Sequence, residues 1–339
     1  MATSSITKVI RSTTASRVFA VLALLVVVVL ATVPKWADVS TVRKLVDLLI
    51  LIALAQMWNL LAGFAGVVSV GQQAFVGIGA YGMVVFVNNL GFGLYTSILI
   101  SAVVAALISI PMGLIAFRLR GSYFAIGSWV LAEVVRLAAK ANNSVGGGSG
   151  ASIKVAGYPA TSRSQNVYWI ALIVGVGAVA LTYGLLRSGL GLQLQAIRDN
   201  EGGARGLGAN VYRTRFVLWV VVAFWTALAG ATFYTKNLRV QPDQSFSVVS
   251  WTAPIIFMVV IGGIGSIEGP IIGAIAYWYF RERFGNSPEY YAMGLGLLAV
   301  GVALFLQKGV WGIVRRRFDL QLFPVRRRLS VTTEEKVPA

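Results

Sequence analysis

The segment from Asn59 to Tyr81, NLLAGFAGVVSVGQQAFVGIGAY, constrains this chain more than any other. It is apolar enough to lie in a membrane. Yet glycines interrupt it at 63, 66, 71, 77 and 79, and Ser69, Gln72 and Gln73 fall at or near bilayer depth. A helix that only anchors a protein has no use for such residues. Irregular backbone and uncompensated polar groups each cost on the order of several kcal/mol in hydrocarbon, so they persist only inside protein or beside a water-filled path. The segment reads as part of a route through a membrane protein rather than a lipid-facing wall.

The rest of the chain agrees. Apolar residues are 57% and charged residues 12% of the 339, against about 45–50% and about 25% in soluble domains. About ten apolar segments follow one another: 18–33, 45–64, 72–88, 95–117, 122–140, 167–186, 216–235, 249–263, 267–284 and 290–306. They predict an all-α, polytopic transmembrane permease-like chain with Gly-broken helices. The third, eighth and ninth segments are short and Gly-rich, which suggests broken or re-entrant threading. There is no Cys and no His. Disulfides, Cys/His metal sites, thiol or imidazole nucleophiles and imidazole proton relays are therefore excluded. The net charge of +17 fits basic clusters facing anionic headgroups better than nucleic acid.

Charge also orients the chain. With the N-terminus in the cytoplasm, 18 of the 29 Lys and Arg fall on the cytoplasmic side. That bias favours both termini inside. The expected layout is a cytoplasmic tail at 1–17, a membrane domain at 18–313 and a basic, fraying tail at 314–339. Within the membrane domain lie an external Gly/Ser-rich loop at 141–166 and a cytoplasmic loop at 187–215. In the cytoplasmic loop, Gln193 to Glu201 can form a short amphipathic helix that Gly202, Gly203, Gly206 and Gly208 then break. Such a loop is either a solvated connector or the handle that a separate motor subunit grips. A weak internal repeat is also visible: Gly66-Val-Val-Ser69 before Gly77–Tyr81 echoes Gly263-Ile-Gly-Ser266 before Gly273–Tyr277. Gly-interrupted segments in two halves point to a transport path near the midplane, although small residues also serve close helix packing.

Several stretches resemble one family in order. Asn59–Tyr81 resembles the segment shared by permeases of branched-chain amino-acid ABC importers. Leu119–Leu137 (LRGSYFAIGSWVLAEVVRL) is similar to a later segment of their LivM-type member. Leu194–Arg215 (LQAIRDNEGGARGLGANVYRTR) resembles the cytoplasmic coupling loop, and Met258–Ala274 and Leu306–Ile313 resemble the last motifs. Glu201-Gly-Gly is similar to the Glu-Ala-Ala signature of importer coupling loops, with glycines replacing both alanines and Gly208 one place later than the family glycine.

The resemblance implies a transport subunit rather than an enzyme, in a bacterial inner membrane. It binds no cofactor itself, because ATP and Mg belong to two cytoplasmic ATPase subunits. Its other expected partners are a second, homologous permease and an extracytoplasmic substrate-binding protein. The expected cargo is a branched-chain or related hydrophobic amino acid; urea, short amides or aromatic acids are alternatives within the same family. Candidate path residues are Asn59, Ser69, Gln72, Gln73, Tyr81, Glu133 and Ser266. Candidate ATPase-coupling residues are Arg198, Asp199, Asn200, Glu201, Arg205 and Gly208. Glu133 and Arg136, three apart on one helical face, can pair, and a membrane-end anchor is an equal reading of Arg136. Glu268 is expected to cap the helix that follows it, with lining the path as the alternative. An ion-coupled secondary transporter is the rival from another class, and it would need an intramembrane acid relay. The chain has no Gly-x-x-x-x-Gly-Lys-Ser/Thr phosphate loop, and the economical reading is that the driving energy enters through another subunit.

Overall fold

The computed structural model describes residues 6–10, 14–285, 294, 296, 297, 301, 309–318, 322, 323 and 328–332. The expected segment 290–306 therefore lies almost wholly outside the described residues. Six described helices are long and apolar enough to cross a membrane: those within Ser16–Lys35, Val39–Phe64, Leu94–Ala116, Ser122–Ala141, Ala160–Arg187 and Val211–Asn237.

Helix α1 (Thr14–Thr32) turns most of its valines and leucines outward. It rests on the bundle partly through the Tyr168 hydroxyl, which donates to the Leu30 carbonyl at 2.6 Å. Helix α2 (Val39–Asn59) starts at Asp38, whose carboxylate accepts from the Ser40 and Thr41 N–H groups, the usual role of an N-cap aspartate. It continues as a π-turn, Leu60–Phe64. This is the buried centre of the bundle: α6 (Ala160–Arg187), α9 (Val211–Asn237), α11 (Ala253–Gly262) and α12 (Glu268–Phe284) all pack against it.

After an irregular stretch at 65–71, α3 (Gln72–Met83) runs on as a π-turn to Asn89. Then come α4 (Leu94–Ala116) and α5 (Ser122–Ala141). The third, eighth and ninth apolar segments are thus not broken internally. Residues 72–89, 248–262 and 268–284 are each continuous helix, and the breaks fall before them, at 65–71 and 263–267. The glycines inside α3 serve contact instead. A Cβ on Gly79 would sit 2.2 Å from the Ala227 carbonyl oxygen, and one on Gly230 would sit 2.6 Å from that of Val76. Helices α3 and α9 therefore cross backbone to backbone, as small residues permit in membranes.

The helix ends gather at two poles. At the proximal pole lie 64–71, 117–121, 187–210 and 263–267; there α7 (Gly189–Asp199) packs against the π-turn of α2, and α8 (Glu201–Gly206) packs on α7 and α9. The last described helix, α13 (Gly309–Phe318), meets the same pole, where Gly309 touches Gly263. At the distal pole lie 36–38, 90–93, 142–159 and 238–247, including α10 (Pro242–Ser245). The distal loop is shorter than expected because α6 begins at Ala160. It is tied down where β2 (Ala151–Ser152) pairs antiparallel with β3 (Arg239–Val240) and where Asn88 donates to the Ser152 carbonyl at 2.9 Å. The C-terminal tail differs from the fraying expected of it: β4 (Arg328–Thr332) pairs with β1 (Ile6–Ile10), Ile6 opposite Thr332.

Candidate functional site

Two groups of residues were expected to act, and the structure gathers most of both toward the proximal pole. The first surrounds the 65–71 break. Ser69, Gln72 and Gln73 are buried within this chain. The Gln72 amide donates to the Thr226 hydroxyl of α9 at 2.6 Å. The Thr252 hydroxyl, one residue before α11, accepts from the Gln73 backbone N–H at 3.2 Å and donates to the Gln73 side-chain oxygen. Trp58 donates its indole N–H to the Ser69 carbonyl at 2.8 Å, and Val70 N–H donates to the Ser128 hydroxyl of α5 at 3.0 Å. The polar residues of the break therefore form a seam that joins α3 to α5, α9 and α11. Hydrogen bonding offsets much of the cost of their burial, because each unpaired group costs about 2 kcal/mol or more; the buried Gln72 side-chain oxygen has no partner among the described residues. Tyr81 lies farther along α3, its ring stacked on Phe246 at 5.7 Å between centroids, with its buried hydroxyl unpartnered among the described residues.

Asn59 and Ser266 meet at the second break. The Asn59 amide donates to the Ser266 carbonyl at 2.8 Å and accepts from Gly265 N–H at 2.8 Å. Gln56, one turn earlier, donates to the Ile267 carbonyl at 2.5 Å. The end of α2 thus holds the 263–267 loop through two amides. Gly265 is required here: its φ of +76° suits glycine, and the backbone of Gly63 presses against it. The cap of α12 departs from expectation. Ser266 Oγ accepts from Gly269 N–H at 3.1 Å and fills that role, while Glu268 turns away and accepts from Phe323 N–H at 3.1 Å.

Glu133 lies apart from both breaks, in the distal half of α5. It pairs with Arg136 at 2.5 Å, and Arg136 also reaches Asp243 of α10. A carboxylate already paired at the distal pole is poorly placed to act as an isolated acid at mid-depth.

The coupling-loop residues sit together at the proximal pole, in a different local form from the one expected. The helix breaks at Asn200 rather than at the glycines. Asn200 accepts from Gly203 N–H at 2.9 Å and so caps a second helix, α8, that contains Gly202, Gly203 and Gly206. The Glu201–Arg205 pair at 2.6 Å, spaced i,i+4, helps offset the low helix propensity of those glycines. Gly208 lies past the helix end, in the turn that leads to α9.

The inner face of this loop is bonded to the bundle. Arg198 donates to the Gly63 carbonyl at 2.8 Å, and Arg215, at the start of α9, donates to the Ala65 carbonyl at 3.2 Å. Arg215 also pairs with Glu201 at 2.8 Å. The last carbonyls of a helix lack intrahelical partners and carry the negative end of its dipole, so arginine suits this place. Asp199, Arg205 and Leu207 are turned outward. Residue types alone did not single out Gln56, Arg215, Thr226 or Thr252. The available signal was a polar side chain inside an apolar run, as at Gln56 and Thr226.

Residues 40–303, well over half of the chain, match the family described as the branched-chain amino acid transport system permease component. The high-affinity branched-chain amino acid transport system permease protein LivM of Escherichia coli (strain K12) is 26% identical over 290 residues, covering 78% of this chain and 68% of that protein. The protein of the same name from Salmonella typhimurium matches with the same identity and coverage. A solved metal-chelate-type ABC transporter in an inward-facing conformation overlaps 86% of this chain and 100% of its own at 14% identity, with a TM-score of 0.46. By the span of the family match, this chain belongs to the branched-chain amino acid transport permeases, the membrane-spanning transport subunits of ABC systems, which carry no catalytic domain.

Proposed function

We propose that this chain is one of two permease subunits of an ABC importer for branched-chain or related hydrophobic amino acids. It pairs with a second, homologous permease and with two ATPases that bind ATP and Mg. Its cargo comes from an extracytoplasmic binding protein. In this reading the proximal pole faces the cytoplasm of a bacterial inner membrane.

The observation that supports it most is the attachment of the 187–215 loop. Arg198 and Arg215 tie that loop to the end of α2, and Asn59 ties the same end to the 263–267 loop. A force applied at α7 and α8 therefore reaches both helix breaks through direct hydrogen bonds. The outward residues Asp199 and Arg205 form the gripping surface, while Arg198, Asn200, Glu201 and Gly208 give the handle its shape. Ser69, Gln72, Gln73 and Tyr81 line the region that rearranges when cargo passes, with Asn59 and Ser266 as its proximal latch. Glu133 belongs to the distal mouth.

The test is reconstitution in proteoliposomes. Leucine uptake is expected only when this chain, a second permease, two ATPases, ATP and a loaded binding protein are all present. Concentrative uptake by this chain alone, driven by a proton or sodium gradient, would sink the reading. Uptake of urea or a short amide in preference to leucine would change the substrate and keep the machine.

A further inference from the structure

The distal pole contains a cleft of about 700 Å³ between α2, α9, α10 and α12, a size that suits a small organic ligand. Its apolar wall includes Ile50, Leu51, Phe233 and Trp251. Phe233 and Trp251 hold each other edge to face, 4.8 Å between centroids. Two guanidinium groups, Arg239 and Arg281, also line it.

The charges of this pole show why those two arginines matter. Asp47 is engaged by Lys236, Glu282 by Lys44, and Asp243 and Glu133 by Arg136. The Asp38 carboxylate caps α2. Among the described residues, Arg239 and Arg281 have no carboxylate partner, as Arg43, Arg163 and Arg283 have none, but of these five only Arg239 and Arg281 line the cleft. With its amide turned to accept, Gln241 takes two N–H groups of Arg239, at 3.0 and 3.1 Å. That contact orients the Arg239 guanidinium without neutralising it. An oriented guanidinium beside an apolar wall is the chemistry that recognises a small carboxylate with an apolar side chain.

We propose that this distal cleft is a low-affinity receiving site for the amino-acid cargo. Arg239 and Arg281 take the carboxylate, and the Phe233–Trp251 wall takes the side chain. The inference rests on the import reading for the direction of travel, but its chemistry stands on the cleft alone. The carboxylate is the principal handle. The one acidic side chain in the lining, Asp47, is already held by Lys236, so the ammonium group of the cargo contributes little.

The test uses the assembled importer in nanodiscs, without binding protein, and measures equilibrium binding of labelled leucine. Unlabelled 4-methylpentanoate, which lacks the ammonium group, is expected to compete. Leucinamide, which lacks the carboxylate, is not. The double variant R239Q/R281Q is expected to bind leucine about 10-fold more weakly or worse, as the loss of a charge-assisted contact implies, while its assembly and basal ATP hydrolysis stay unchanged. The milder R281K is expected to fall between the two, which separates a binding defect from a folding defect. Competition by leucinamide equal to that of 4-methylpentanoate would overturn the proposal, as would undiminished binding by an assembled R239Q/R281Q complex. If the complex imports leucine from a loaded binding protein but binds none at millimolar concentration, the cleft proposal fails and the import reading stands. If the cleft binds carboxylates but no hydrophobic amino acid is imported, the cleft stands and the substrate reading fails.

Discussion

The two poles of this bundle use their charges in different ways. At the proximal pole Arg198 and Arg215 pair with Asp199 and Glu201 and, in addition, bond to backbone carbonyls, those of Gly63 and Ala65. At the distal pole lysine and arginine mostly meet side-chain carboxylates, as in the half-exposed Lys44–Glu282 pair at 2.7 Å. A pair of exposed side chains yields easily and contributes about 0–1 kcal/mol. A guanidinium on a helix-end carbonyl moves only when the backbone moves. On the proposed reading, that difference suits the proximal pole to passing on displacement.

The largest expected effect tests the proximal pole. A Cβ on Gly63 would lie 2.6 Å from Gly265 N and 2.3 Å from the Asn59 side-chain oxygen. Overpacking plus loss of the Asn59–Gly265 bond predicts a destabilisation of about 2–4 kcal/mol for Gly63→Ala, read by thermal unfolding in detergent. Gly206→Ala sharpens the comparison, because nothing lies within 4 Å of its Cβ position. That variant is expected to match or slightly exceed wild-type stability, by up to about 1 kcal/mol. If both behave alike, the proximal lock is not where the structure puts it.

The smallest effect tests the distal pole. The Thr41 hydroxyl and the N–H groups of Thr41 and Ser40 hold the Asp38 carboxyl below its ordinary pKa of 3.8. A carboxylate with a lowered folded pKa stabilises the fold above its ordinary value and loses that contribution as pH falls through the folded value. Asp38→Ala is therefore expected to lower the unfolding temperature slightly at pH 7, with the gap to wild type closing as pH drops below 3.8. A gap that widens in acid would mean that the cap acts in some other way.

Much of the helix layout was legible because apolar runs end sharply at Gly, Asn or Arg. The runs 72–88, 95–117 and 122–140 became helix over 72–89, Leu94–Ala116 and Ser122–Ala141. Glycine was misread where its role was contact or where a cap overrode propensity. Gly77 and Gly79 sit inside α3, and Gly202, Gly203 and Gly206 sit inside α8 behind the Asn200 cap. The polar residues of the first break stood out in sequence, but their partners could not. Thr226 is 154 residues from Gln72, and Thr252 is 179 from Gln73. The distal cleft was invisible for the same reason: it assembles four elements far apart in the chain, and only the fold reveals which arginines lack an acid.

The central claim is that the 187–215 loop drives the bundle through its bond to the end of α2. The most direct measurement compares wild type with Arg198→Ala in the complete importer, recording ATP hydrolysis and leucine uptake on the same proteoliposomes with loaded binding protein. Removing this side chain breaks the bond to Gly63 and the exposed pair with Asp199, while Asp199 and Arg205 themselves stay on the outward face for the ATPase. The account predicts that ATP hydrolysis persists while uptake per ATP falls about 10-fold, as the loss of one charged hydrogen bond at a coupling joint implies. Unchanged uptake per ATP in an intact Arg198→Ala complex would contradict it.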